Sequence, residues 1–244
     1  MRSPSRLWNC TILDLEVDMS RLSSKLLAGL KSLSIRGNLK GRPRIPPGTT
    51  SELTRFSLDP EYLPSLAFLD SILPAAPFLT SLELEVREDG DMLSRDYTKC
   101  LQTITQQLLH LAVTIGESSS TPTSRASLDV TRFVSSRTSL KSLELCDCGT
   151  AYIKDVVAAL RAPLAVLETE LAFGWNDAGT GVAELAAVLE LPSMAGLKRW
   201  RMADSSDWGG ELSEDETTQW EEVCRAHGVE PRDERRFFTD YPAE

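Results

Sequence analysis

Apolar residues recur along this chain in short segments, and their spacing inside each segment is nearly constant. In LLAGLKSLSIRGN the apolar positions are Leu27, Leu30, Leu33 and Ile35, and Asn38 closes the segment. The last two apolar residues are separated by one polar residue, which is the period of a strand with one buried face. The pattern therefore predicts a short strand whose leucines and isoleucine lie in a core.

Seven further segments repeat this spacing in order along the sequence. They are CTILDL, LTRFSL, FLTSLELEV, LLHLAV, TSLKSLELCDC, LAVLET and LKRWRM. The eight starts fall at residues 10, 30, 53, 79, 108, 140, 164 and 197, so successive starts are 20 to 33 residues apart. Fixed offsets of the form L-x-x-L-x-L-x-x-N/C are typical of the leucine-rich repeat, in which every repeat contributes one strand.

The segments between these strands have a different period. TAYIKDVVAALR and TGVAELAAVLEL place apolar residues three and four positions apart, as amphipathic helices do. Ser213 and Glu216 have the spacing of a capping box, which predicts a closing helix near residues 213–227. Strands that alternate with helices are expected to be parallel and joined by right-handed crossovers.

We therefore expect an α/β leucine-rich-repeat solenoid, or horseshoe, with a parallel concave sheet and helices on the convex side. Residues 1–244 would form one domain of about eight irregular repeats. The alternative is a doubly wound α/β sheet, in which the strand order reverses midway and a ligand pocket lies at the carboxyl ends of the strands.

Composition narrows the class of protein. The 244 residues include 36 leucines, with 41 % hydrophobic and 25 % charged residues, which excludes a disordered or fibrous chain. No apolar run approaches the roughly 18 residues that span a bilayer, and the amino terminus lacks the apolar core of a signal peptide. The 5 cysteines are odd in number and show no disulfide framework. These features predict a cytoplasmic or nuclear protein without a membrane partner.

Charge argues against nucleic acid as a partner. The net charge is −10, from 26 Lys and Arg against 36 Asp and Glu. Residues 1–60 carry a net +5 and residues 61–244 a net −15. Binding to a phosphate backbone requires a basic surface, which this balance does not supply.

Signals for catalysis are weak throughout the sequence. No nucleophile-elbow, P-loop, zinc-protease or complete dinucleotide-binding motif occurs. Cys146-x-Cys148 and Cys224-x-x-His227 each offer too few ligands for a metal site. His110 would need a serine or cysteine within reach to act as a base, and the sequence identifies none. We therefore predict a protein that is not an enzyme and has no catalytic residue, cofactor or metal.

The residues that flank the core leucines point to the opposite face of each strand. Side by side they would line the concave sheet with an acidic centre, and like charges on neighbouring strands repel each other. Our hypothesis is that this face binds a protein segment rich in Lys or Arg; the alternative is a solvated face without a ligand. The candidate partner-binding residues are Glu83, Glu85, His110, Glu144, Glu168, Glu170, Arg199 and Arg201.

The strands LKSLSIRG, LTSLELEV and LKSLELCDCG, together with the closing TTQWEEVCRAHGVEPRD, resemble the leucine-rich-repeat region of fungal F-box-like proteins. In that family the repeats select a substrate, and an N-terminal F-box binds the adaptor of an SCF ubiquitin ligase. The resemblance implies a substrate-recognition role in such a ligase. No F-box precedes the first repeat, so contact with the adaptor would require an F-box outside this sequence. A doubly wound enzyme of unknown substrate and a structural repeat fragment are the alternative functions.

Overall fold

The computed structural model describes residues 9–18, 20, 24–41, 43–59, 66–87, 101, 107–116, 124–171, 181–204 and 213–232. Parallel strands alternate with helices in this part of the chain, which makes the protein a member of the α/β class. The chain divides into two compact units, unit 1 (Met1–Leu109) and unit 2 (His110–Glu244). A single domain over residues 1–244 stays a prediction.

In its described residues, unit 1 contains four parallel strands that pair in chain order. The strands are β1 (Asn9–Asp18), β2 (Ser32–Lys40), β3 (Arg55–Asp59) and β4 (Ser81–Arg87). Short helices lie between them: α1 (Ser24–Ala28), α2 (Leu66–Ile72) and a 3-10 turn (Leu73–Ala75).

The part of unit 2 that the structure describes contains five parallel strands, which also pair in chain order. The strands are β5 (His110–Gly116), β6 (Ser142–Cys148), β7 (Val166–Leu171), β8 (Arg199–Asp204) and β9 (Glu230–Arg232). The helices are α3 (Ser124–Ser135), α4 (Thr150–Ala159), α5 (Gly181–Ala186) and α6 (Glu214–Ala226), with 3-10 turns at Ala187–Glu190 and Pro192–Met194.

The strand predictions are confirmed, because all eight segments that carry the leucine pattern coincide with strands β1 to β8. Within each unit the strand order follows the sequence and does not reverse, whereas a doubly wound sheet requires a reversal. The closing helix is confirmed as α6. Its capping box is formed, since the Glu216 N–H donates to Ser213 Oγ at 3.2 Å and the Ser213 N–H donates to Glu216 Oε2 at 3.0 Å.

The leucine positions form the core of each unit because strand register aligns them. In unit 1, Leu33, Phe56 and Leu82 are register partners and are all fully buried. In unit 2 the corresponding ladder comprises Leu111, Leu143, Leu167 and Trp200, each at most 1 % exposed. The leucine pattern also predicts that Leu82, Leu143 and Leu145 lie in the core, and all three are fully buried.

Candidate partner-binding face

Strand alternation gives the sheet a second face, opposite the one that carries the core leucines. We call it the outer face, and it is the face on which the sequence places the candidate partner-binding residues. In unit 2 its residues form two rows of register partners that run across the strands. Row one contains His110, Ser142, Val166, Arg199 and Glu230. Row two contains Ala112, Glu144, Glu168, Arg201 and Arg232.

Glu168 and Arg201 pair with each other across β7 and β8. An Arg201 guanidinium N–H donates to Glu168 Oε1, and the Glu168 side chain is only 2 % exposed. Glutamate is rarely buried to this degree unless a cation accompanies it, because removing the charge from water is costly. Arg201 therefore supplies from within the sheet the positive charge that we expected a partner to bring to this carboxylate.

Glu144 is the register partner of Glu168 on β6, and its carboxylate is also buried. The Cys146 thiol donates to Glu144 Oε1 at 3.2 Å. The sequence placed Glu144 and Glu168 at the acidic centre of this face, and the structure adds that the two residues are 3 % and 2 % exposed. Strand alternation predicts that Glu144 and Glu168 lie on the outer face, but it does not determine how far their side chains are buried.

His110 has a serine partner that the sequence did not reveal. His110 Nδ1 and Ser142 Oγ are 2.5 Å apart, although the two residues are 32 positions apart in sequence. Register brings them together at the first position of β5 and β6. A histidine bound to a serine hydroxyl has the arrangement of a nucleophile–base pair, but the Ser142 side chain is fully buried. The hydrogen bond therefore orients His110 on the outer face.

On the outer face of unit 2, accessible charged residues lie on β7, β8 and β9. Arg199 Nε donates to Glu230 Oε2 at 3.1 Å, and the two side chains are 32 % and 56 % exposed. Glu170 on β7 is half-buried. Glu230 was absent from the predicted site because β9 lies beyond the last leucine segment. The alignment of Glu230 with Arg199 follows only from the pairing of β8 with β9.

The outer face of unit 1 is lined mainly by serines. Ser34, Ser57 and Glu83 are register partners on β2, β3 and β4. Glu83 is half-buried and remains accessible, whereas Ser57 is buried. Glu85, another candidate residue, lies in β4, but its side chain is outside the part that the structure describes. Unit 1 thus contributes one described carboxylate to the candidate site.

The free cysteines Cys146, Cys148 and Cys224 are all buried. No group of three or more His, Cys, Asp or Glu residues there could hold a metal ion. Burial raises the pKa of the Cys224 thiol to about 12, which keeps it protonated and unreactive at neutral pH. The Cys148 thiol is also buried and donates to the Cys146 carbonyl at 3.1 Å. None of the helices within the described ranges is long and apolar enough to cross a membrane.

An open groove lies in unit 1. Its described lining comes from Ser20, residues 43–50 and the end of α2 with the following turn. Arg44 and Asp70 are its charged groups, and both are exposed. No histidine or cysteine is among the described lining residues, so the groove brings together no acid–base or nucleophilic pair.

No protein-family model matches the sequence, and no curated protein matches it either. The functional assignment must therefore come from the strand arrangement and from the chemistry of the outer face.

Proposed function

We propose that this chain is a leucine-rich-repeat protein that binds another protein through its outer face and catalyses no reaction. The observation that carries the proposal is a hydrogen-bond pattern that recurs at one position of the repeat. In four repeats, the residue that lies two positions before the central core residue of the strand makes the same contact. Its carbonyl oxygen accepts hydrogen bonds from two successive N–H groups of the next repeat. These carbonyls belong to Lys31, Thr54, Lys141 and Ala165.

The lengths of these bonds are similar from one repeat to the next. Thr54 and Arg55 donate to the Lys31 carbonyl at 2.8 and 3.1 Å, and Lys198 and Arg199 donate to the Ala165 carbonyl at 2.9 and 3.3 Å. The same position of the repeat thus accepts the same pair of backbone hydrogen bonds in both units. Repeat proteins are built in this way, because each repeat is stabilised mainly by its neighbours. The pattern favours a repeat array over a doubly wound enzyme.

Repeat arrays present an extended sheet surface, and such surfaces commonly bind proteins. The accessible acids Glu83 and Glu170 favour a partner segment that contains Lys or Arg. The resemblance to fungal F-box-like proteins supports a substrate-recognition role in a ubiquitin ligase of the cytoplasm or nucleus. The SCF adaptor would be a partner only through an F-box outside this sequence.

The test is a direct binding measurement with charge reversal at accessible positions. Fluorescence anisotropy would compare the binding of Lys/Arg-rich peptides with that of Asp/Glu-rich peptides of equal length. Glu83→Lys and Glu170→Lys, combined, should weaken binding of the basic peptides by about tenfold and reduce its salt dependence. Glu222→Lys, an exposed position on α6, is the matched control and should leave binding unchanged. Equal binding by the double variant and the control would contradict the proposal.

A further inference from the structure

The open groove of unit 1 has two walls that are tied together by a buried serine. One wall is the loop of residues 43–50, and the other comes from the end of α2 and the turn that follows it. Ser51, the next residue after the loop, donates from both its N–H and its Oγ to the Ala75 carbonyl of that turn, each at 2.8 Å. Ser51 is 1 % exposed, so water does not compete for these bonds. The end of the loop is therefore held against the opposite wall.

The loop itself has a preset shape. The Thr49 N–H donates to the Pro46 carbonyl at 3.1 Å and closes a turn. Gly48 has a φ of 79°, the backbone conformation that the third residue of a type II turn requires. Pro43, Pro46 and Pro47 each fix their own φ near the value of the pyrrolidine ring. A ligand that binds this wall has little backbone to order, which favours affinity.

Proline rings provide most of the accessible apolar surface of the groove. Pro46, Pro47 and Pro74 are exposed lining residues, and Ile45 is half-buried. Proline rings and aromatic rings are complementary surfaces, as in the aromatic grooves that bind proline-rich peptides. In this groove the protein supplies the prolines, so the matching group on a ligand is an aromatic side chain.

The charge of the groove favours an anionic ligand. Arg44 is exposed in the lining and forms no ion pair with any residue that the structure describes. Asp70, the other charged lining residue, already has an interaction of its own. The sequence from residue 37 to residue 51 contains three Lys or Arg and no Asp or Glu. A guanidinium binds a carboxylate through paired hydrogen bonds and also stacks on aromatic rings.

The dimensions of the groove suit a peptide. Its volume is about 910 Å³, near the upper end of the roughly 300–1,000 Å³ of ligand sites. Sites for small molecules enclose most of the ligand surface, whereas this groove is open along one side. An extended chain that places alternate side chains toward the protein fits such a shape.

We infer that the groove of unit 1 binds a protein segment in which an aromatic residue lies next to Asp or Glu. The carboxylate of that segment pairs with the Arg44 guanidinium, and the aromatic ring packs against Pro46, Pro47 and Pro74. This inference goes beyond the proposed function, which concerns Lys/Arg-rich segments and other residues. The chain then has a second binding site, with the opposite charge preference.

Charge reversal in the full chain provides the first test. Fluorescence anisotropy would measure the binding of a labelled peptide that carries Trp between two Glu residues. Arg44→Glu should weaken this binding by about tenfold or more, because a charge-assisted hydrogen bond is replaced by repulsion. Arg161→Glu changes an exposed cation of unit 2 by the same charge and should leave the affinity unchanged. Equal affinities of these two variants would overturn the inference.

Changes in the peptide test the same contacts without altering the protein. Replacing Trp by Ala removes the ring that packs on the prolines, and replacing both Glu by Gln removes the charge that pairs with Arg44. Each change should weaken binding to the unmodified chain by about tenfold. Full affinity of either changed peptide would contradict the inference, and so would tighter binding of a single-stranded oligonucleotide than of the original peptide.

Photo-crosslinking locates the bound peptide. A peptide with benzoylphenylalanine in place of Trp would be irradiated with the full chain, and the linked residues identified by mass spectrometry. Links should fall within residues 43–50 or 70–75, and Arg44→Glu should reduce their yield. The test of the proposed function uses basic peptides, so either result can fail without the other. Links confined to other parts of the chain would overturn the assignment of the groove.

Discussion

The Arg201 guanidinium of β8 donates to the Glu168 carboxylate of β7 on the outer face of unit 2, where Glu168 is 2 % exposed. The two residues are 33 positions apart and meet because Val166 pairs with Arg199 at the start of both strands. An ion pair in this position adds little net stability by itself, since burying it costs about as much as the attraction returns. Removing only Arg201 is costly, because the buried Glu168 carboxylate then loses this guanidinium.

Arg201→Met should therefore destabilise the protein by about 3–5 kcal/mol. The double variant Glu168→Gln/Arg201→Met removes both charges and should recover a large part of that loss. Urea denaturation followed by circular dichroism measures each free energy of unfolding. Arg225→Met removes an exposed guanidinium that pairs with Glu221 on α6 and should cost less than about 1 kcal/mol. A cost for Arg201→Met no greater than that of Arg225→Met would contradict the role assigned to the pair.

Leu143→Ala tests the register of the core. Leu143 is fully buried on β6, between Leu111 of β5 and Leu167 of β7. Removing its side chain leaves a cavity, and the expected cost is about 2–5 kcal/mol in the free energy of unfolding. The neighbouring Lys141 is exposed, so Lys141→Ala is a matched control with little expected effect. A cost for Leu143→Ala below about 0.5 kcal/mol would reject the assigned register.

The strands and their buried residues could be predicted because the repeat pattern is local. Each segment contains its own period of two, and Leu33, Leu82 and Leu143 are buried as that period requires. The closing helix was also predictable, since Ser213 and Glu216 are only three residues apart and form their capping bonds within one turn.

The chemistry of the outer face could not be predicted in the same way. Alternation tells which face holds Glu144 and Glu168, but burial depends on what lies over that face. The contacts of His110 with Ser142 and of Arg201 with Glu168 join residues 32 and 33 positions apart. Such contacts depend on the register between strands, which the irregular repeat length obscures. The sequence therefore predicts the acids of this face, but not that Glu144 and Glu168 are buried and hydrogen-bonded there.

The capping box of α6 provides a local test of the last helix. Ser213 Oγ accepts from the Glu216 N–H, and the Glu216 carboxylate accepts from the Ser213 N–H. Ser213→Ala removes the acceptor for the Glu216 N–H and should cost about 1 kcal/mol in the free energy of unfolding. Ser213→Asp keeps an acceptor at this position and should restore most of that loss. Equal stability of the two variants would show that the cap does not support α6.

Stability at high pH should depend on Cys224. Burial raises the pKa of this thiol from its ordinary value of 9.0 to about 12, so the folded chain holds its proton where the unfolded chain has released it. Between those two pH values the unfolded state binds fewer protons, and the free energy of unfolding falls as pH rises. Cys224→Ala lacks the thiol and should show a shallower decline from pH 9 upward in urea titrations. Parallel declines in both proteins would mean that Cys224 ionises alike in the folded and unfolded chains.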